Sequence, residues 1–253
     1  MNIREEYPYL YETHMHTAEG SACGKAPGSE MARAAKAFGY TGVFITDHHW
    51  GGNTRPSRDL LWEEWVDEFC SGYEGAKAVG DEIGLQVFMA WESGYRATEF
   101  LIYGPDKAWM LAHPELKTIS VEEQYRLIHE AGGMVIHAHP FREAAYIREV
   151  RLYPEWVDGV EGVNAQHSSI VSSQHYNPKY NERAITYAKE HGLPLTAGTD
   201  LHQIAPVGAG VAFKTKLVSV QDYVERIRSG KDYVITDGIC WYDPQGTLLC
   251  TEE

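Results

Sequence analysis

Short apolar runs alternate with amphipathic stretches along this chain. "TGVFITDHH" (41–49), "LQVFMAWE" (85–92), "FLIYG" (100–104), "MVIHAHP" (134–140), "VDGVEGVN" (157–164) and "LPLTAGTD" (193–200) read as buried strands, and "DYVIT" (232–236) can close the sheet. Tyr9 to Thr13 leads into a further strand end. Helical signatures lie between. Met31, Ala34, Ala35 and Phe38 share one helical face behind a Ser29 N-cap, with Gly39 as the stop. Leu61, Trp65 and Phe69 mark a longer helix starting near Asp59. Ser120 with Glu123 forms a capping box whose helix stops at Gly132-Gly133. Asn177-Pro178 opens a helix ending at Gly192, and another follows Ser219. This alternation predicts an α/β fold with a parallel sheet, open or closed into a barrel. With no linker or low-complexity segment, residues 1–253 read as one domain.

Charge and cysteine usage narrow the classes. The formal net charge is −14 and no Lys/Arg cluster appears, which disfavours duplex nucleic acid as a partner. A small anionic substrate stays compatible, because bound metal ions reverse the local potential. No apolar run is long enough for a membrane span, and "MNIREEYPYL" lacks the apolar core of a secretory signal. Cys23, Cys70, Cys240 and Cys250 form no Cys-x-x-Cys pair, which fits a reducing cytoplasm.

The ligand-type residues fall at strand ends. His14 and His16 follow the first strand, and Asp47, His48 and His49 end the second. Glu92, then His137 and His139, then Asn164 with His167 nearby, and finally Asp200 and His202 end the later ones. In a parallel barrel these ends meet on one face, where active sites are built. His113, His129 and His191 fall elsewhere and read as structural or exposed. Mixed imidazole and carboxylate suits zinc, manganese or iron, and more donors converge than one tetrahedral zinc requires. The expectation is about two to three divalent metals.

The motifs "HMH" (14–16), "TDHH" (46–49), "AWE" (90–92), "HAHP" (137–140) and "GTDLH" (198–202), in this order, resemble the PHP family, named for polymerase and histidinol phosphatase domains. The resemblance implies a distorted (β/α)7 barrel, a trinuclear metal site and phosphoesterase activity. It gives the first metal His14, His16, Glu92 and Asp200, with Glu92 bridging to a second metal held also by His139. That second metal takes a further ligand near the end of the "VDGVEGV" strand, where Asn164 and His167 are the candidates. The third takes His48, His202 and a ligand after "HMH", either Glu19 or Cys23.

Further roles complete the expectation. Asp47 orients a ligand histidine. Arg142 grips phosphate oxygens as a fork. His167 or His49 protonates the leaving group, and His137 and His167 contact substrate. The implied reaction is hydrolysis of a small phosphate ester, most simply a monoester such as histidinol phosphate. A phosphodiesterase is the alternative, and an amidohydrolase-like metalloenzyme the more distant one. The expected partner is a small phosphorylated molecule, with no nucleic acid duplex and no membrane.

Overall fold

A computed structural model of the protein describes residues 2–168 and 175–251. Its strands are β1 (Tyr9–Met15), β2 (Gly42–Ile45), β3 (Gln86–Tyr95), β4 (Thr98–Tyr103), β5 (Met134–Ala138), β6 (Gly159–Asn164), β7 (Leu195–Gly198), β8 (Gly210–Phe213), β9 (Tyr233–Thr236), β10 (Cys240–Tyr242) and β11 (Leu248–Thr251). They form one mixed sheet in the order β11-β10-β9-β8-β1-β2-β3-β4-β5-β6-β7. The sheet curls into a half-barrel, consistent with the expected distorted barrel. A bridge between Met15 and Leu201 brings the far edge back to β1. At that approach Gly198 is required, because a Cβ there would lie 2.5 Å from His14 Cβ.

The sheet is less regular than a purely parallel one. β1, β2 and β3 pair in parallel, as do β5, β6 and β7. β4 runs antiparallel to both neighbours. The cause is a two-residue hairpin: Tyr95 pairs with Thr98, and Arg96 and Ala97 both take positive φ (52° and 64°), as a type I′ turn demands. β8 to β11 extend the sheet past β1 as an antiparallel run. The "DYVIT" strand therefore lies inside the sheet rather than closing it.

Two long helices pack outside. Gly28–Ala37 and Trp62–Ile83 lie together over β2 and β3, burying Met31, Ala35, Val43, Ile45 and Val87 between them. The second begins at Trp62, so Leu61 stays exposed while Trp65 and Phe69 are buried. The Ser120–Glu123 capping box is present, and Gly192 ends its helix in the left-handed conformation. Inside the curl, Phe44, Leu101, Tyr103, Ile136, Leu195 and Phe213 pack with Tyr223 and Ile227 of the helix Val220–Ser229. Truncating a buried aromatic in such a core typically costs about 3–5 kcal/mol. This floor leaves the open mouth above it as the place where strand-end side chains meet.

Candidate metal centre

Backbone irregularities aim the donors. In β1, Glu12 pairs with Val43 but Met15 pairs with Ile45, so one extra residue bulges out. Tyr11 therefore faces the inner core and Met15 the outer layer, which turns His14 and His16 toward the mouth. Glu92 shares the inner face of β3 with Ala90. His139 follows β5 with φ +26° and Asp200 follows β7 with φ +54°. Such strained positions for non-glycine residues gather at functional sites.

The donors converge tightly. His14 Nε2 lies 3.4 Å from Glu92 Oε1 and 3.5 Å from Asp200 Oδ1, and His16 Nε2 lies 3.2 Å from Asp200 Oδ1 and 3.6 Å from Glu92 Oε2. His48 Nδ1 is 2.7 Å from Glu92 Oε2, and His139 Nε2 is 3.0 Å from Glu92 Oε1. Glu92 thus stands central among four imidazoles. Glu99, on β4, reaches His48 and His139 at 3.6 Å. Among the described residues four overlapping donor sets result: His14–His16–Glu92, His14–His139–Asp200, His48–Glu92–Glu99 and His16–His48–His202.

What these atoms lack is equally informative. His14 Nε2 and His16 Nε2 are buried with no hydrogen-bond partner, and the equally buried His48 Nδ1 and Glu92 Oε2 have only their mutual 2.7 Å contact, which is not aligned as a hydrogen bond. Burying such groups unpaired is costly, and metal coordination is one of the few arrangements that satisfies them. Burial pushes His14 and His48 down, but the carboxylates outweigh it (Glu161, Asp200 and Glu92 at His14; Glu92 and Glu99 at His48) and hold both well above the usual range. Burial, reinforced by His202 and His48, holds His16 well below it. Burial opposes ionisation of Glu92 and Asp200, yet His48 with His14, and Arg142 with His14, hold them well below the usual carboxylate range. The carboxylates call for positive charge in this space, and these clusters suggest divalent metals.

A surrounding layer fixes the tautomers. Ser21 Oγ donates to Asp47 Oδ1 (2.6 Å), so His16 Nδ1, 3.0 Å away, must donate to Ser21. That leaves His16 Nε2 a bare lone pair toward the cluster. Asp47 thereby orients the His16 ring through Ser21. Glu161, which the sequence reading passed over, accepts from His14 Nδ1 (2.8 Å), the His139 amide (3.1 Å) and Asn164 Nδ2 (3.0 Å). His202 Nδ1 donates to the Asp200 carbonyl at 2.8 Å.

Other expected residues stand apart. Glu19 does not join the cluster: its carboxylate accepts from the Gly28 amide (3.1 Å), capping the helix start in place of Ser29. Its rival Cys23 does line the mouth beside His202 and His48; burial raises its thiol, but the two imidazoles bring it down to about 6. Asn164 Nδ2 lies 3.4 Å from Asp200 while its Oδ1 accepts from the Gln166 amide, so it supports the cluster from behind. His167 Nδ1 donates to Asn181 Oδ1 (2.8 Å) and its Nε2 accepts from Arg142 Nε (3.3 Å). In that state His167 is a neutral prop for the guanidinium, not a proton donor. Arg142 is buried and ion-paired with Asp200.

His49 and His137 are displaced outright. His49 packs beneath the mouth among Trp62, Trp65, Phe69 and Trp91, with ring centroids 5.0–6.0 Å away. His137 stacks on Phe100 at 5.2 Å, on the opposite face of β5 from the core side chains Ile136 and Ala138. Strand alternation would send His139 the same way, and its positive φ reverses it. Burial pushes both His49 and His137 down to about 3. Neither faces the cavity.

The mouth opens into a cavity of about 830 Å³, lined by Cys23, His48, Glu99, Arg142, Asp200 and His202 at its floor, with Lys25, Asn53, Tyr146 and His175 above. Glu99 was missed because a parallel sheet puts only C-terminal strand ends at the mouth. β4 is antiparallel, so its N-terminal end arrives there. In the sequence, Glu99 alternates with the inward Leu101 and Tyr103, which is the signal that could have found it.

Comparison with known proteins fits this geometry. Residues 178–231 match the family model described as PHP-associated. No curated protein matches the sequence. Among solved structures, a two-domain protein from Bacteroides vulgatus, named for a PHP-like metal-dependent phosphoesterase, superposes with a TM-score of 0.62 at 14% identity over 90% of this chain. The present chain spans 64% of that protein's length. A protein from Bifidobacterium adolescentis, named as a metal-dependent phosphoesterase, gives 0.53 at 17% identity, covering 87% of this chain and 95% of the other. An amidohydrolase from Chromobacterium violaceum, with bound sulfate and no metal, gives 0.55 at 16% identity, covering 90% and 98%. At these identities the likeness is one of fold. The matched segment is that of the PHP-associated model, and the fold is the one these PHP-like structures share.

Proposed function

We propose that the protein hydrolyses a small phosphate ester, most simply a phosphomonoester, with about two to three divalent ions bound at the mouth. The observation that carries this reading is the convergence of buried, unpartnered imidazole nitrogens and a central Glu92 oxygen beside the Arg142 guanidinium. His14, His16, Glu92 and Asp200 would hold one ion, Glu92 and His139 a second, and His48 and His202 a third. Bound divalent ions supply Lewis acidity and activate water at neutral pH.

The remaining work falls to this chain's own groups. Arg142 lines the cavity and is propped by His167, so a rotation of its guanidinium away from Asp200 presents a fork to two phosphate oxygens. Glu161, Ser21 and Asp47 hold the imidazole rings in orientation. Glu99 borders the cavity floor beside His48 and His139.

A phosphodiester is the second reading, favoured by the cavity volume of about 830 Å³, which leaves room for a second substituent. A phosphate-release screen over monoesters and diesters, histidinol phosphate included, separates the two. Monoester turnover abolished by His14→Ala and Asp200→Ala is expected. Activity retained in both variants would refute the assigned site. Arg142→Ala should raise KM or lower kcat by about 10- to 1,000-fold, and an unchanged enzyme would remove Arg142 from the phosphate site.

A further inference from the structure

A second cavity, of about 200 Å³, lies beside the mouth. Gly51 and Gly94 line both cavities. Their backbones meet so closely that a Cβ on Gly51 would lie 2.1 Å from the Gly94 carbonyl oxygen. None of the residues lining the second cavity is acidic, while Arg96 and Lys117 are basic. In a chain of net charge −14 this is a local reversal of sign. Arg96 is exposed and Lys117 half-buried, and among the described residues neither has a carboxylate partner. Arg96 lies over the Tyr95 ring at 5.3 Å, and Lys117 Nζ lies over the Trp50 and Trp62 rings at 5.3 and 5.6 Å. These ring contacts hold the cations without neutralising them.

Buried donors line the same space. Gln124 borders it and is only 6% exposed. Its Oε1 accepts from the hydroxyl of Ser93, itself buried in the cavity wall. That bond fixes the amide, and its Nε2 keeps two N–H groups with no partner among the described residues. Val121 also lines the cavity. It opens the ten-residue helix Val121–Glu130, so its amide finds no acceptor within the helix. The positive end of that helix adds to the two cations. Glu123 does not line the cavity, and its carboxylate is taken up by the Ser120 amide and hydroxyl, both at 2.8 Å.

We propose that this second cavity binds a carboxylate or phosphate group, held by the Gln124 amide, the Val121 N–H and the charges of Arg96 and Lys117. A bare oxyanion accepts from all four and asks for no acceptor in return. The volume is below the range of about 300–1,000 Å³ that takes whole drug-sized ligands. The ligand is therefore a small acid or one anionic group of a larger molecule. None of the four residues belongs to the donor cluster at the mouth, so the site does not rest on the function proposed for it.

Amide-resolved NMR of the full chain reads the site directly, titrated with inorganic phosphate in one arm and acetate in the other. The Val121 amide and the Gln124 side-chain amide should shift and saturate with at least one anion. The arm that saturates at the lower concentration names the group. The double variant Arg96→Met, Lys117→Met leaves the buried donors in place and should weaken that binding at least about tenfold, with the rest of the spectrum unchanged. Gln124→Leu should weaken it as well. Shifts confined to residues of the mouth, shifts that never saturate, or saturation unaltered in the double variant would overturn the proposal.

Discussion

The mouth of the half-barrel and the aromatic layer behind it both bury histidines whose ring nitrogens lack hydrogen-bond partners. His48 and His49 are adjacent in sequence, and His137 and His139 are two apart, yet each pair is divided between the two regions. In the mouth, His48 and His139 face Glu92 and Glu99. In the layer behind, His49 faces Trp62, Trp65 and Phe69, and His137 faces Phe100. A bare imidazole nitrogen alone therefore does not mark a ligand. Carboxylates converging on the same point do, because they require a cation there.

The largest expected effect breaks this comparison if it is wrong. His16→Ala should lower phosphate release about 1,000-fold or more and reduce bound metal, while His49→Phe should keep activity and metal content. Elemental analysis beside kinetics reads both, and equal losses in the two variants would erase the distinction. Next comes Glu99→Gln, which should lower metal affinity or kcat/KM about 10- to 100-fold. An unchanged variant would move Glu99 out of the centre.

The aromatic layer has its own signature in pH. Burial holds His49 at about 3, below the value near 6.5 it takes when unfolded. Its contribution to stability is complete above about pH 6.5 and is lost as pH falls toward 3. Stability should decline there by about 1.4 kcal/mol per pH unit from this ring alone. Denaturant melts of His49→Phe should show a shallower acid decline than the wild-type protein, and parallel declines would contradict the buried neutral ring. The smallest effect is Glu19→Gln, expected to cost about 1 kcal/mol of stability with metal content intact. Lost metal in that variant would return Glu19 to the centre.

Most of the mouth was legible in the sequence because parallel strands deliver their C-terminal ends to one side. His14, His16, His48, Glu92, His139, Asp200 and His202 all arrive as that rule requires. The exceptions share a cause: backbone geometry that strand spacing does not encode. A two-residue turn reverses β4 and brings Glu99 in by its N-terminal end. A positive φ at His139 separates it from His137. Glu19 reads as a donor by distance in sequence, but a free helix N-terminus at Gly28 claims it first. His49 looks equivalent to His48 until the helix Trp62–Ile83 lays its tryptophans over it.

Metal analysis of protein purified without chelator, paired with phosphate release before and after chelation, tests the central claim most directly. About two to three divalent metals per chain are expected, with activity lost on chelation and restored on adding metal back. One metal or none, or phosphate release indifferent to chelation, would contradict it.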